Sequence, residues 1–179
     1  ANAVYWRVRF ESSPVTGASN RTLVVYKTTQ SGATDPVSPT GTWRDPAGAN
    51  APENALIGVQ YIGDNEGAWF PMKISAAEGQ NRFWRHTGFA SLAPGTSDTL
   101  GQYLVGWEWD ARAANGQEPA GVQTLSSTPV TGNLLTDAGR VYAQGSATTN
   151  STVYRAASGA YVWATGTNHW MRGLGLNEL

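Results

Sequence analysis

Strand signals dominate this chain, and in its clearest segments hydrophobic and polar positions alternate with a period of two, the pattern of half-buried strands. In residues 3–11, Val4, Trp6, Val8 and Phe10 point one way, and Tyr5, Arg7, Arg9 and Glu11 the other. Residues 22–27 are β-branched and read as a second strand. Further strands are predicted at 59–62, 70–75, 82–86, 104–107, 122–130, 150–155 and 160–164, with Val4, Val8, Val105 and Val162 buried. Residues 12–20 and 91–98 read as turns, 28–41 as a long exposed loop, and 136–143 as ambiguous. Ala157-Ser158-Gly159 is expected to close a hairpin, with Gly159 at a position that tolerates positive φ. Helical signals are short: a turn at 54–56 after Pro52, and a loop or short helix around 169–174. There is no repeat and no long amphipathic helix.

One stretch stands out, Leu104-Val105-Gly106-Trp107-Glu108-Trp109-Asp110. An apolar run leads into two tryptophans that bracket a carboxylate, and a loop with Gly116, Pro119 and Gly121 follows. Alternation would put Val105, Trp107 and Trp109 on one face and Gly106, Glu108 and Asp110 on the other. A carboxylate at the C-terminal end of a buried strand is where open α/β sheets place their chemistry. Taken alone, the stretch favours a surface strand end with both acids in water.

Composition narrows the choice of function. The 179 residues are the size of one domain. The 12 Lys+Arg against 13 Asp+Glu argue against a nucleic-acid surface, which needs clustered basic residues. Only 14% of residues are charged and 8 are Trp, a balance more typical of secreted than of cytosolic proteins. No apolar run is long enough to span a bilayer. The chain begins almost inside a strand, without Met, which suggests a processed protein, a subunit or a fragment.

The absence of Cys removes disulfides, zinc thiolates and a cysteine nucleophile. The two histidines, His86 and His169, are not spaced as a zinc pair. A Gly-x-Ser-x-Gly elbow and a phosphate loop are both missing. Oxygen chemistry remains. Tyr5 lies on the polar side of the first strand and Glu108 ends the central one, and phenolate and carboxylate are hard ligands that suit ferric iron. From the residues alone, Tyr5 reads first as a half-buried tyrosine whose hydroxyl finds a backbone partner.

A set of motifs then carries a resemblance: Asn2-Ala3-Val4-Tyr5-Trp6, Arg44-Asp45-Pro46, Pro52-Glu53-Asn54-Ala55-Leu56, Gly106-Trp107-Glu108-Trp109-Asp110, Leu125-Ser126-Ser127-Thr128-Pro129-Val130, and the run from Tyr154 to Thr167 closing with Trp170-Met171-Arg172-Gly173-Leu174. In order and spacing the chain resembles the C-terminal part of the N,N-dimethylformamidase large-subunit family over nearly its whole length. The resemblance implies a strand-rich α/β fold, the C-terminal part of a three-layer domain of the class I glutamine amidotransferase-like type. Residues 1–179 would be a single domain or the later portion of a larger one, with a β-rich insertion over about 41–100. It also implies an amide hydrolase with iron held by two tyrosines and a glutamate. Tyr5, in Asn-x-x-Tyr-Trp, and Glu108 match two of these ligands. The other tyrosine belongs to a His-Asp-Glu-Tyr-Trp motif that this chain does not contain. Asp110 and His86 are candidates to orient the ligands. Many relatives are domains of large secreted bacterial proteins.

The expected partner is therefore the rest of the domain or a second chain, and the expected ligand a small amide. The rival reading is a non-catalytic, glycan-binding module of a secreted protein, with Trp43, Trp69 and Trp84 stacking on sugars; core packing is the commoner role for each Trp. Arg7, Arg9 and Arg44 would support an anionic substrate, although ion pairing with Glu11 or Asp45 is the plainer role.

Overall fold

The computed structural model describes residues 9–24, 43–44, 46, 50–65, 67–136 and 141–175. The chain divides into two compact units, Ala1–Pro52 with Thr136–Val141, and Glu53–Leu135 with Tyr142–Leu179.

In the first unit, β1 (Arg9–Glu11) pairs antiparallel with β2 (Thr22–Val24), which sets Phe10 opposite Leu23. The connection is a turn held by Ser13, whose Oγ accepts from the amides of Val15 and Thr16. Short polar side chains stabilise turns in this way. Phe10 is 60% exposed, against its expected place on the apolar side of a half-buried strand. Tyr5, and the expectations for Val4, Val8 and residues 25–27, lie outside the described residues.

In the second unit, α1 (Asn54–Ile57) is one helical turn, ended by Gly58 in the left-handed region, whose amide returns to the Asn54 carbonyl. The strands that follow are β3 (Gln60–Asp64), β4 (Phe70–Ser75), β5 (Ser97–Val105), β6 (Glu108–Ala111), β7 (Gln123–Thr136), β8 (Val141–Arg155) and β9 (Tyr161–Ala164). Five of them form a sheet in the order β6-β3-β7-β8-β9, and β4 pairs with β5. A second helical turn, α2 (Ala76–Gly79), starts on a capping box: the Ser75 Oγ accepts from the Glu78 amide while the Glu78 carboxylate accepts from the Ser75 amide at 2.7 Å.

The three-layer α/β expectation is overturned. The described ladders run antiparallel, and neither of the two α-helices among the described residues exceeds four residues. Parallel strands need crossovers of a dozen or more residues, usually helical, and a strictly alternating pattern is instead that of antiparallel strands with one covered face. The core lies where the antiparallel β4–β5 pair meets the five-stranded sheet: Met72, Ile74, Leu104, Val105, Trp109 and Val130 are buried together. Polar positions help to join the layers. Thr128 on β7 is buried and accepts from the Lys73 amide of β4 at 2.8 Å, and the Ser126 and Ser151 hydroxyls meet at 2.7 Å between β7 and β8.

Three local expectations also change. Residues 82–86 are a 3-10 turn (Arg82–Trp84), because the Asn81 side chain accepts from the Phe83 amide at 3.0 Å and caps a turn where the pattern suggested a strand. Residues 104–107 are not one strand: β5 stops at Val105 and a new strand starts at Glu108. Val162 is half-buried, since β9 is the edge strand of its sheet. The 70–75 strand, the 54–56 turn, the hairpin of β8 with β9 and the helical turn at Trp170–Leu174 agree with the pattern.

Candidate functional site

The break at Gly106 positions Glu108. A Cβ on Gly106 would overlap the His169 ring, so only glycine lets residues 166–169 pack against this point of the chain. The Gly106 amide donates to Thr167 Oγ1 at 2.8 Å, and the chain then leaves β4 and pairs with β3. β6 thus receives support on both sides. The Glu108 amide donates to Asn168 Oδ1 at 3.4 Å, the Asp110 amide to the Gly166 carbonyl at 2.9 Å, and the Asp110 carbonyl accepts from Thr149 Oγ1 at 2.6 Å. Glu108 begins a short strand rather than ending a long one.

Register decides what Glu108 faces. Along the β3–β6 ladder, Asp64 stands opposite Glu108, Gly63 opposite Trp109, and Tyr61 opposite Asp110. Trp109 is completely buried, edge-on to Phe70 with ring centroids 5.8 Å apart, so its face is the core face. Glu108, Asp110 and Asp64 lie on the other side. A bulge at Ile62 turns Tyr61 to that side as well; in unbroken alternation it would share the face of Gly63.

The Tyr61 hydroxyl donates to Asp64 Oδ2 at 2.8 Å and meets the Tyr142 hydroxyl at 3.3 Å. Asn133, opposite Asp64 in β7, donates to Asp64 Oδ1 at 3.2 Å and accepts from Gln144 Nε2. Burial, then its contacts with Tyr142 and Asp64, push the Tyr61 phenol well above its ordinary range. Tyr61 is therefore a protonated donor that fixes the Asp64 carboxylate.

Of the residues singled out in the sequence, Glu108 and Asp110 share this polar face, both half-buried. His86 is exposed, with φ of 66°, beyond the 3-10 turn. Trp84 is half-buried, and its Nε1 donates to the Leu125 carbonyl at 2.9 Å. Trp69 is 40% exposed and tilts against His169, with centroids 5.8 Å apart. Trp43 is 39% exposed in the first unit. The sequence reading missed Asp64, Tyr61 and Tyr142. The one available signal was Gly63 at the end of the 59–62 segment, since an isolated strand glycine suggests a bulge or a close backbone approach. Among the described residues, no three His, Cys, Asp or Glu side chains are grouped so as to hold a metal.

A family model described as N,N-dimethylformamidase beta subunit-like, C-terminal, matches residues 1–178. The chain belongs to this family. No curated protein and no solved structure matches it. Membership in this dimethylformamidase-related family is consistent with an amide hydrolase-like domain. The matched span includes both Tyr5 and Glu108.

Proposed function

We propose that this domain is the C-terminal portion of an iron-dependent amide hydrolase, acting on C–N bonds of a small amide in a secreted bacterial protein. Tyr5 and Glu108 would be the ligands from this chain, and the second phenolate would come from the rest of the domain. The observation that carries the reading is the face that sets Glu108 opposite an Asp64 already gripped by Tyr61 and Asn133. A phenolate from Tyr5 and the Glu108 carboxylate would be hard oxygen donors of the kind that suits ferric iron, which supports the reading. When bound, the metal would polarise the amide carbonyl or lower the pKa of a water.

The protein's own contribution is positional. Tyr61 stays protonated and orients Asp64, and the hydrogen bonds that the Glu108 and Asp110 amides donate to Asn168 Oδ1 and the Gly166 carbonyl hold the backbone that presents the two acids. Asp110 lies on the same face and is suited to orient a ligand or a water. His86 has no part in this reading. Low charge and abundant tryptophan support the extracellular setting.

The test uses the intact protein that carries this domain. Bound iron with a visible ferric–tyrosinate absorption is expected. Tyr5→Phe should abolish both the colour and the hydrolysis of a small amide while leaving the melting temperature unchanged. A colourless, iron-free protein that still hydrolyses the amide would overturn the proposal, as would a Tyr5→Phe protein that keeps colour and turnover.

A further inference from the structure

Away from the Glu108 face, the 3-10 turn and the edge strand β9 enclose an open groove of about 240 Å³ that contains Arg82, Phe83, Arg155 and Tyr161. A recess of about 320 Å³ adjoins it, bordered by Arg82, Phe83, Arg85 and Tyr161. Phe83 also borders a third recess of about 150 Å³, which extends to Trp163 and Trp170. β9 places Tyr161 and Trp163 two residues apart on one face, 53% and 44% exposed. Phe83 is 42% exposed and meets Tyr161 edge to face, at 66° and 6.3 Å between centroids. This is a row of rigid aromatic surfaces open to solvent, not part of the core.

The charges around it have one sign. Arg82 lies over the Tyr161 ring, 5.6 Å from its centroid, and donates to the Tyr161 hydroxyl at 3.0 Å. Arg155 donates to the Gly159 carbonyl at 3.2 Å. Arg85 is exposed, and among the described residues it engages the protein only through its backbone. Among the described residues, no carboxylate pairs with any of these three guanidiniums, and no acid borders either arginine-lined recess. The chain as a whole carries a net charge of −1, so three unneutralised cations on one aromatic groove are a local concentration. Guanidinium recognises planar carboxylates through paired donors. Exposed aromatic rings supply broad contact area with little rotamer entropy to lose.

We propose that this groove binds a carboxylated oligosaccharide, with uronate groups on Arg82, Arg85 and Arg155 and sugar faces on Phe83, Tyr161 and Trp163. The site stands apart from the amide-hydrolase reading and does not depend on it.

The test is calorimetric titration of the intact protein with an oligogalacturonate, its carboxyl-reduced neutral counterpart and a poly-glutamate peptide. The uronate should bind, more weakly as salt rises, and the other two should bind roughly tenfold or more worse. Arg85→Gln removes no side-chain contact among the described residues, so it should leave the melting temperature unchanged and weaken uronate binding about tenfold, the value of one charge-assisted contact. Tyr161→Ala, checked for an unchanged fold by circular dichroism, should abolish it. Equal binding of the neutral sugar, tighter binding of the peptide, no uronate binding, or an unaffected Arg85→Gln would each overturn the proposal.

Discussion

Asp64 and Glu108 stand directly opposite each other across the β3–β6 ladder, on the side of the sheet away from Trp109. Like charges at directly opposed positions weaken an antiparallel pair. The structure meets this on the Asp64 side with donors, Tyr61 Oη to one carboxylate oxygen and Asn133 Nδ2 to the other. Asp64 is thereby held still beside Glu108.

Tyr61→Phe should cost about 1–2 kcal/mol, since it removes a buried hydroxyl and the donor on Asp64. It should also change the alkaline limb of stability. The folded-state phenol lies above its ordinary range, so the folded protein holds this proton longer than the unfolded one. The contribution is complete below the usual tyrosine pKa of about 10 and is lost as pH rises beyond it. Urea denaturation at a series of pH values should show stability falling above that point in the wild type and a flatter fall in Tyr61→Phe.

Gly106→Ala places a methyl group in the His169 ring. Overpacking of this kind costs about 1–3 kcal/mol. Trp69 tilts against His169, with its Nε1 3.4 Å from His169 Nε2. Tryptophan fluorescence should therefore shift together with the lowered melting temperature; no change in either would show that His169 moves away freely.

Gly159 closes the β8–β9 hairpin with φ of 90°, as its place in Ala157-Ser158-Gly159 suggests. A β-branched residue strains such a backbone, so Gly159→Val should destabilise by roughly 1–3 kcal/mol. An unchanged midpoint in denaturant would contradict this.

Arg112 grips Glu118 through Nε at 2.9 Å and Nη2 at 2.7 Å. The arginine holds the Glu118 carboxyl below its usual range. This contribution is therefore present above the ordinary carboxylate pKa and lost as pH falls through the depressed one. Both side chains are partly exposed, at 39% and 22%. A double-mutant cycle with Arg112→Ala and Glu118→Ala should return only about 0.5–1 kcal/mol near neutral pH, less in high salt. A coupling that persists below the carboxylate range would contradict this.

The sequence by itself determined the local elements whose causes are local. Alternation marked β4, Gly159 the hairpin turn, and Pro52 with Gly58 the single turn of α1, because backbone preference and side-chain period act over a few residues. It also singled out Glu108 and Asp110, by their place between and after two tryptophans. Where a local polar group competed with the apolar pattern, as Asn81 did before Phe83 and Trp84, the pattern misled. Only the tertiary structure decided which strands pair, that the chain changes sheets at Gly106 under the His169 ring, and that a bulge at Ile62 turns Tyr61 toward Asp64. The order β6-β3-β7-β8-β9 brings Asp64, Glu108, Asn133 and Tyr142 together from four strands. Such choices rest on which distant strand is nearest and in what register, and a one-residue slip turns every side chain to the opposite face.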